Sequence, residues 1–282
     1  MKTGFHNLDN NIKIKGGDLI IIASRPAMGK TTLALNILGN VAIKDKKSVA
    51  FFSLEENMEN IVNKLIIRTS MVEADKFKTY DQYQKGQILK PKFTDDDWDR
   101  ISYGVNSLKD APIFIDVTAP QTIDNIFKKS CELKEKENIE LIIIDYLQLI
   151  QVNKRKALSR DDEIDEILQE LKTLAEKLNV PVIVTSQLSR RPEEREDKRP
   201  VITDFTNTAS SILKYADKIW FLYRDSYYNK ENKSNITDII ITQNGNKNEN
   251  ISTIKLGWMP EYFMFGNTIN LEKINYSKEG SK

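Results

Sequence analysis

The 282-residue chain carries 42 Lys plus Arg against 41 Asp plus Glu, a formal net charge of +1, so no bulk attraction to nucleic acid or anionic membrane exists and any polyanion site must be local. With 40% apolar, 9% aromatic and 29% charged residues it is neither disordered nor collagen-like in composition, and it is long enough to bury a large core. One cysteine, Cys131, and one histidine, His6, exclude disulfide frameworks, Cys/His zinc sites and Ser-His or Cys-His triads, leaving carboxylates, amides, hydroxyls, Lys, Arg or a bound ion to carry chemistry.

No apolar run approaches the roughly 20 residues that span a bilayer, and MKTGFHNLDN lacks the apolar stretch of a signal peptide, so a cytoplasmic location without membrane partners is expected. In chain order, Asp18 to Ser24, Ser48 to Leu54, Pro112 to Asp116, Leu141 to Asp145, Pro181 to Ser186 and Lys218 to Tyr223 are short apolar runs, as expected of strands buried on both faces. Helical patterns lie between them. The clearest is Asp162 to Leu178, with Ile164, Ile167, Leu168, Leu171, Leu174, Ala175 and Leu178 on one face. This alternation predicts an α/β fold with a central, mostly parallel sheet, helices on both faces, and ligands at the carboxyl ends of the strands. Thr237 to Thr242, Ser252 to Trp258 and Tyr262 to Phe265 are separated by short polar stretches and predict a C-terminal antiparallel extension. The polar stretch of about 72–110 is expected to be a helical insertion within a single domain over 1–273, with a frayed tail at 274–282. Two charged loops follow strands, Gln151 to Arg160 and Leu188 to Pro200.

After the first strand comes Ser24-Arg25-Pro26-Ala27-Met28-Gly29-Lys30-Thr31-Thr32, a phosphate-loop pattern with Ser24 where the usual first Gly stands. In such a loop the backbone N–H groups point at phosphate oxygens, the Lys30 ammonium bridges the β and γ phosphates, and the Thr31 hydroxyl holds Mg²⁺. Asp145, closing an apolar strand, is placed to orient that ion, although a strand-end Asp also serves as a cap or turn residue. Glu55 is the candidate to orient an attacking water, with Glu56 as the competing, solvated neighbour. Gln187 is the candidate γ-phosphate sensor, or else a side chain paired with loop backbone. Lys154, Arg155, Lys156 and Arg160 in one loop, with Arg190, Arg191, Arg195, Lys198 and Arg199 in the other, form a possible phosphate-contacting rim for nucleic acid. The acids Glu193, Glu194, Glu196 and Asp197 leave open a merely solvated loop. Neither loop has an aromatic residue, which favours tracking of the nucleic-acid backbone over base stacking.

The segments TGFHNLD, SRPAMGKTTLALNI, FFSLE, LIIIDYLQLIQ, VPVIVTSQLSR, EDKRP and FLYRDSYYNKE together resemble the RecA-like motor domain of DnaB-type replicative helicases, in family order over most of the chain. DYLQLIQ, SQLSR and FLYRD are more specific than the phosphate loop, which other RecA-like ATPases share. The resemblance implies a RecA-like P-loop core, a hexamer with ATP between neighbours, and translocation on single-stranded DNA. A primase or helicase loader is a further implied partner. It assigns Lys30 and Thr31 to phosphate and Mg²⁺, Glu55 to catalysis, Asp145 to Mg²⁺, Gln187 to γ-phosphate sensing, and the two basic loops to DNA.

Three departures from the family pattern follow. The family's N-terminal collar domain is expected to be absent. Phe205 to Ser210 stands where the family has an Arg-Glu-Ser-Gly run. Finally, Gln243 and Gly245 occupy the places of a Lys and a finger Arg that reach the neighbour's ATP, and no arginine follows Arg224. Lys247 would substitute only by a shift in register, and poorly, because an ammonium lacks the planar fork of a guanidinium. The expectation is ATP binding with weak ring-stimulated hydrolysis. The alternative is a degenerate paralogue that assembles with or regulates a full-length helicase.

Overall fold

The computed structural model describes residues 1–86, 93–153, 159–243 and 252–267. In chain order the elements are α1 (His6–Asn11), β1 (Leu19–Ser24), α2 (Lys30–Gly39), β2 (Val49–Ser53), α3 (Met58–Ser70), α4 (Ala74–Gln84), α5 (Asp95–Lys109), β3 (Ile113–Asp116), β4 (Gln121–Thr122), α6 (Ile123–Glu137), β5 (Leu141–Asp145) and β6 (Ile150–Gln151). They continue with α7 (Arg160–Leu178), β7 (Val182–Gln187), α8 (Arg191–Glu194), α9 (Ala209–Tyr215), β8 (Lys218–Tyr223), α10 (Asp225–Tyr228), β9 (Ile236–Gln243), β10 (Ser252–Met259) and β11 (Met264–Asn267).

Nine strands form one sheet in the order β11-β10-β9-β8-β1-β7-β5-β2-β3. From β3 to β8 every pairing is parallel, and β9, β10 and β11 add antiparallel at the far side. Successive residues of β1 alternate between two cores. Leu19, Ile21 and Ala23 pack with α6, α7 and α9, whereas Ile20 and Ile22 pack with α2 and α3. A strand covered on both faces has no solvent side, which is why LIIIAS shows no polar alternation.

Helix α7 begins at Arg160 because Ser159 and Asp162 form a reciprocal capping box, and it ends at Asn179 in the left-handed conformation. The predicted insertion is a helical pair in which the Thr94–Asp97 capping box starts α5 and the buried Asp97 accepts from Lys76 of α4 at 2.6 Å. The last predicted strand lies two residues later than expected. A 3₁₀ turn occupies Pro260–Tyr262, and Phe263, at φ 45°, breaks the extended backbone before β11. The loop expected at Leu188 to Pro200 contains the short α8, with Pro192 in its first turn. The expected tail at 274–282, the basic trio Lys154, Arg155 and Lys156, and the positions Gly245 and Lys247 lie outside the described residues.

Candidate functional site

The carboxyl ends of β1, β2, β5 and β7 converge at one edge of the sheet, and each contributes a polar side chain there. Between Ser24 and α2 the chain turns through two left-handed residues, Ala27 at φ 61° and Gly29 at φ 100°. A Cβ on Gly29 would stand 2.9 Å from Phe265 Cζ, so glycine is required both by the backbone and by β11 packing over the loop. The turn leaves Lys30 and Thr31 at the start of α2, where unpaired N–H groups and the helix dipole favour an anion.

Thr31 Oγ1 donates to Asp145 Oδ2 at 2.7 Å, and Thr185 on the intervening β7 donates to Asp145 Oδ1. The two hydroxyls fix the carboxylate between the phosphate loop and the sheet. Burial pushes the Asp145 pKa up, against the two hydroxyl bonds. Burial pushes Lys30 down, opposed by Asp145 and Glu55. Among the described residues no group of three or more His, Cys, Asp or Glu side chains is placed to hold an ion. One carboxylate and one hydroxyl nonetheless suit Mg²⁺, which takes few protein oxygens and completes its shell with phosphate and water.

Glu55, just past β2, lines a cavity of about 330 Å³ together with Ala27, Lys30, Thr31 and Gln187. Its carboxyl is raised by burial and then by Asp145 and Glu56, while Lys30 and Lys64 pull it down. Glu56 does not simply face solvent: it pairs with Lys64 of α3, and its Oε2 is buried without a partner. Gln187 closes β7 with an exposed side chain that has no hydrogen bond among the described residues. Its backbone, by contrast, is held on both sides by Gln148, which accepts from Gln187 N at 3.2 Å and donates to Gln187 O at 3.1 Å.

Within the phosphate-loop pattern, Ser24 and Arg25 turn inward. Arg25 donates to Leu188 O at 2.9 Å and to Glu193 at 2.8 Å, tying the loop to the segment after β7. Met28 is buried in the α2 side of the core and does not line the cavity. Pro26 and Thr32 line the cavity.

Among the basic rim residues, most guanidinium groups brace the protein itself. Arg160 donates to the carbonyls of Gln148 and Ile150, both at 3.0 Å. Arg195 makes two bonds to the buried Asp204, at 2.6 and 3.0 Å, and Arg191 donates to Thr203 O at 3.1 Å. Arg199 pairs with Asp238 at 2.7 Å and lies 4.9 Å from the Tyr223 ring, while Lys198 donates to the carbonyls of Glu193 and Arg195. Arg190 is exposed and its side chain makes no hydrogen bond or ion pair among the described residues, although its carbonyl accepts from Glu193 N at 2.9 Å.

Several site residues escape sequence reasoning. Asn36, in the middle of α2, donates to Phe263 O at 3.0 Å and accepts from Phe265 N at 2.7 Å, clamping β11 to α2. A buried amide inside the apolar run LALNIL signals a required partner but not which one. Arg224 donates to Ala27 O at 2.9 Å and lies 5.1 Å from the Trp258 ring, so the end of β8 and the strand β10 reach the phosphate loop together. Trp258, Pro260 and Phe263 form the apolar wall of the cavity.

The DnaB-like helicase C terminal domain family matches residues 1–267. The chain is 40% identical over 273 residues to the replicative DNA helicase DnaB of Geobacillus stearothermophilus, covering 96% of this chain and 56% of that protein. The same figures relate it to the replicative DNA helicase DnaC of Bacillus subtilis. It is similar to a solved ATPase domain with a TM-score of 0.85 at 33% identity, covering 94% of this chain and 90% of the other. A structure of a DnaB-like replicative helicase and its interactions with primase gives the same TM-score and identity over 94% of this chain and 63% of that one. The chain thus spans just over half the length of the curated relatives it matches.

Proposed function

The chain belongs to the DnaB-like helicase C-terminal domain family, and from that premise we propose that it is the motor domain of an ATP-dependent replicative DNA helicase, hydrolysing ATP to move along single-stranded DNA. The observation that carries the reading is the bond of Thr31 to Asp145, with Lys30, Glu55 and Gln187 around the same cavity. No helix among the described residues is long and apolar enough to cross a membrane, and a cytoplasmic location is part of this reading.

Lys30 and the backbone N–H groups at the start of α2 would hold the phosphates, and the Trp258, Pro260 and Phe263 wall offers the base ring an apolar surface. Thr31 and Asp145 would hold Mg²⁺, which offsets phosphate charge when bound. Glu55, its pKa raised toward working range, orients water against the γ-phosphate and accepts its proton. Gln187, free at its amide and fixed at its backbone, reports the presence of that phosphate. Single-stranded DNA, six copies in a ring and a primase or loader are the partners this reading implies. Among the described basic-loop residues, Arg190 has a free guanidinium for DNA phosphates.

A second reading is favoured by one sequence observation, the lack of any arginine after Arg224. If no neighbour supplies a finger, the chain binds ATP and assembles with or regulates a full-length helicase without unwinding DNA itself. The test is ATP hydrolysis with and without single-stranded DNA over a range of protein concentration, beside Lys30→Ala and Glu55→Gln. A rate that rises with both variables and is lost in the two variants supports the motor. Tight nucleotide binding without stimulated turnover supports the accessory reading.

A further inference from the structure

The side-chain amide of Gln148 forms a clasp that the proposed chemistry does not use. It lies in the 3₁₀ turn after β5, three residues beyond Asp145. Its Nε2 donates to Ser186 Oγ at 2.9 Å and to Gln187 O at 3.1 Å, and its Oε1 accepts from Gln187 N at 3.2 Å. One planar amide thus mimics a neighbouring strand and fixes the last residues of β7 on the flank where pairing with β5 has ended.

The same turn is held from its other side. Arg160, the first residue of α7, donates to the carbonyls of Gln148 and Ile150 at 3.0 Å each, and Gln148, Ile150 and Arg160 line one recess of about 290 Å³. On the far side of β7, Leu188 N donates to Ser24 O at 3.0 Å and Arg25 holds Leu188 O at 2.9 Å. The end of β7 is therefore bonded to the nucleotide loop on one flank and, through Gln148, to Arg160 on the other. A displacement of Gln187 toward or away from a phosphate cannot leave both flanks unchanged.

We propose that Gln148 is a positioning residue that couples the state of Gln187 at the nucleotide to Arg160 at the nucleic-acid rim. Bond by bond, the coupling runs through the backbone of Gln187, the Gln148 amide, the Gln148 carbonyl and the Arg160 guanidinium. It rests on the motor reading above and adds to it the part that makes DNA affinity depend on which nucleotide is bound. Two linked sites must influence each other equally, so the effect is readable from either side.

The experiment measures affinity for a labelled oligothymidylate by fluorescence anisotropy, with ADP and with a non-hydrolysable ATP analogue, for wild type, Gln148→Ala and Gln148→Glu. In wild type the two nucleotide states are expected to differ in DNA affinity by roughly 5- to 150-fold. In Gln148→Ala the two affinities converge to within about twofold, while affinity for a fluorescent ADP stays within about twofold of wild type. Gln148→Glu keeps the acceptor for Gln187 N but loses the donor to Gln187 O, so its ratio falls between the other two. This near-isosteric variant carries the test if the alanine variant fails to fold. A ratio preserved in both variants, with DNA affinity lowered equally in the two nucleotide states, would overturn the coupling role and leave Gln148 as a structural brace. A wild type that binds nucleotide but no oligonucleotide in either state would instead sink the DNA half of the motor reading, and this inference with it.

Discussion

Thr31 and Asp145 stand 114 positions apart in the chain, yet the hydroxyl of one donates to the carboxylate of the other at 2.7 Å. The bond spans from the first turn of α2 to the end of β5, across the intervening strand β7, whose Thr185 holds the second carboxylate oxygen. Replacing Asp145 with Asn keeps the shape and removes the charge. Nucleotide affinity measured with Mg²⁺ and with a chelator is expected to differ at least about tenfold in wild type and to become equal in the variant. Burial raises the Asp145 pKa, so the ionised form weighs against the fold as pH rises through that value. The unliganded Asn variant is therefore expected to melt no lower than wild type at neutral pH, and a clear drop would mean that the hydroxyl bonds outweigh desolvation.

Glu55 sets a second prediction, about pH. It must be ionised to accept a proton, and its pKa is raised, so the acid limb of kcat/KM should lie above the pH of an ordinary glutamate. The Lys64 charge lowers that pKa and the Glu56 charge raises it. Lys64→Ala should accordingly shift the limb to higher pH and Glu56→Gln to lower pH. Shifts in the same direction for both variants would mean that the limb belongs to another group.

Two neighbouring arginines should behave oppositely. Arg195 is bidentate to Asp204, which is fully buried and also accepts from Val201 N at 2.8 Å. Arg195→Ala strands a buried carboxylate and is expected to cost on the order of 3 kcal/mol in denaturant unfolding. Arg190→Ala should leave stability within about 0.5 kcal/mol. It should, however, weaken single-stranded DNA binding and lower its salt slope by about one counterion.

Gly29→Ala meets two obstacles, a φ of 100° and Phe265 Cζ at 2.9 Å from the new Cβ. The strain is on the order of 1–3 kcal/mol, and relief would push β11 off the loop. Calorimetry should show nucleotide affinity reduced by about tenfold or more together with a lowered melting temperature, and unchanged affinity would show that the loop relaxes at no cost.

The parallel core was legible because strands buried on both faces read as unbroken apolar runs. Leu141–Asp145 and Lys218–Tyr223 fall where the sequence pattern puts them. Less legible were features fixed by tertiary contact. Phe263 in a left-handed conformation delays β11, and neither hydropathy nor spacing marks it. At the site, the residues proposed to bind phosphate could be located by motif, whereas the residues that hold them in place could not. Gln148, Thr185, Asn36 and Arg224 act through partners about 40 to 230 positions away, so no local pattern encodes them. The basic loops taught the converse. Their charge was plain in the sequence, but it did not reveal that Arg160, Arg195 and Arg199 are already engaged within the chain.

The strand order carries a consequence for biosynthesis. β1, which leads into the phosphate-loop pattern, lies in the sheet between β7 and β8, with Leu19 opposite Val182 and Ile20 opposite Lys218. At a ribosome's pace of about 5–20 residues per second, LIIIAS waits on the order of 10–30 s before its first partner is made. During that interval an apolar segment with two unpaired edges is exposed to self-association. Added chaperone capacity should raise the soluble yield of the chain more than a surface substitution does, because the hazard lies in the waiting strand and vanishes once β7 and β8 pair with it.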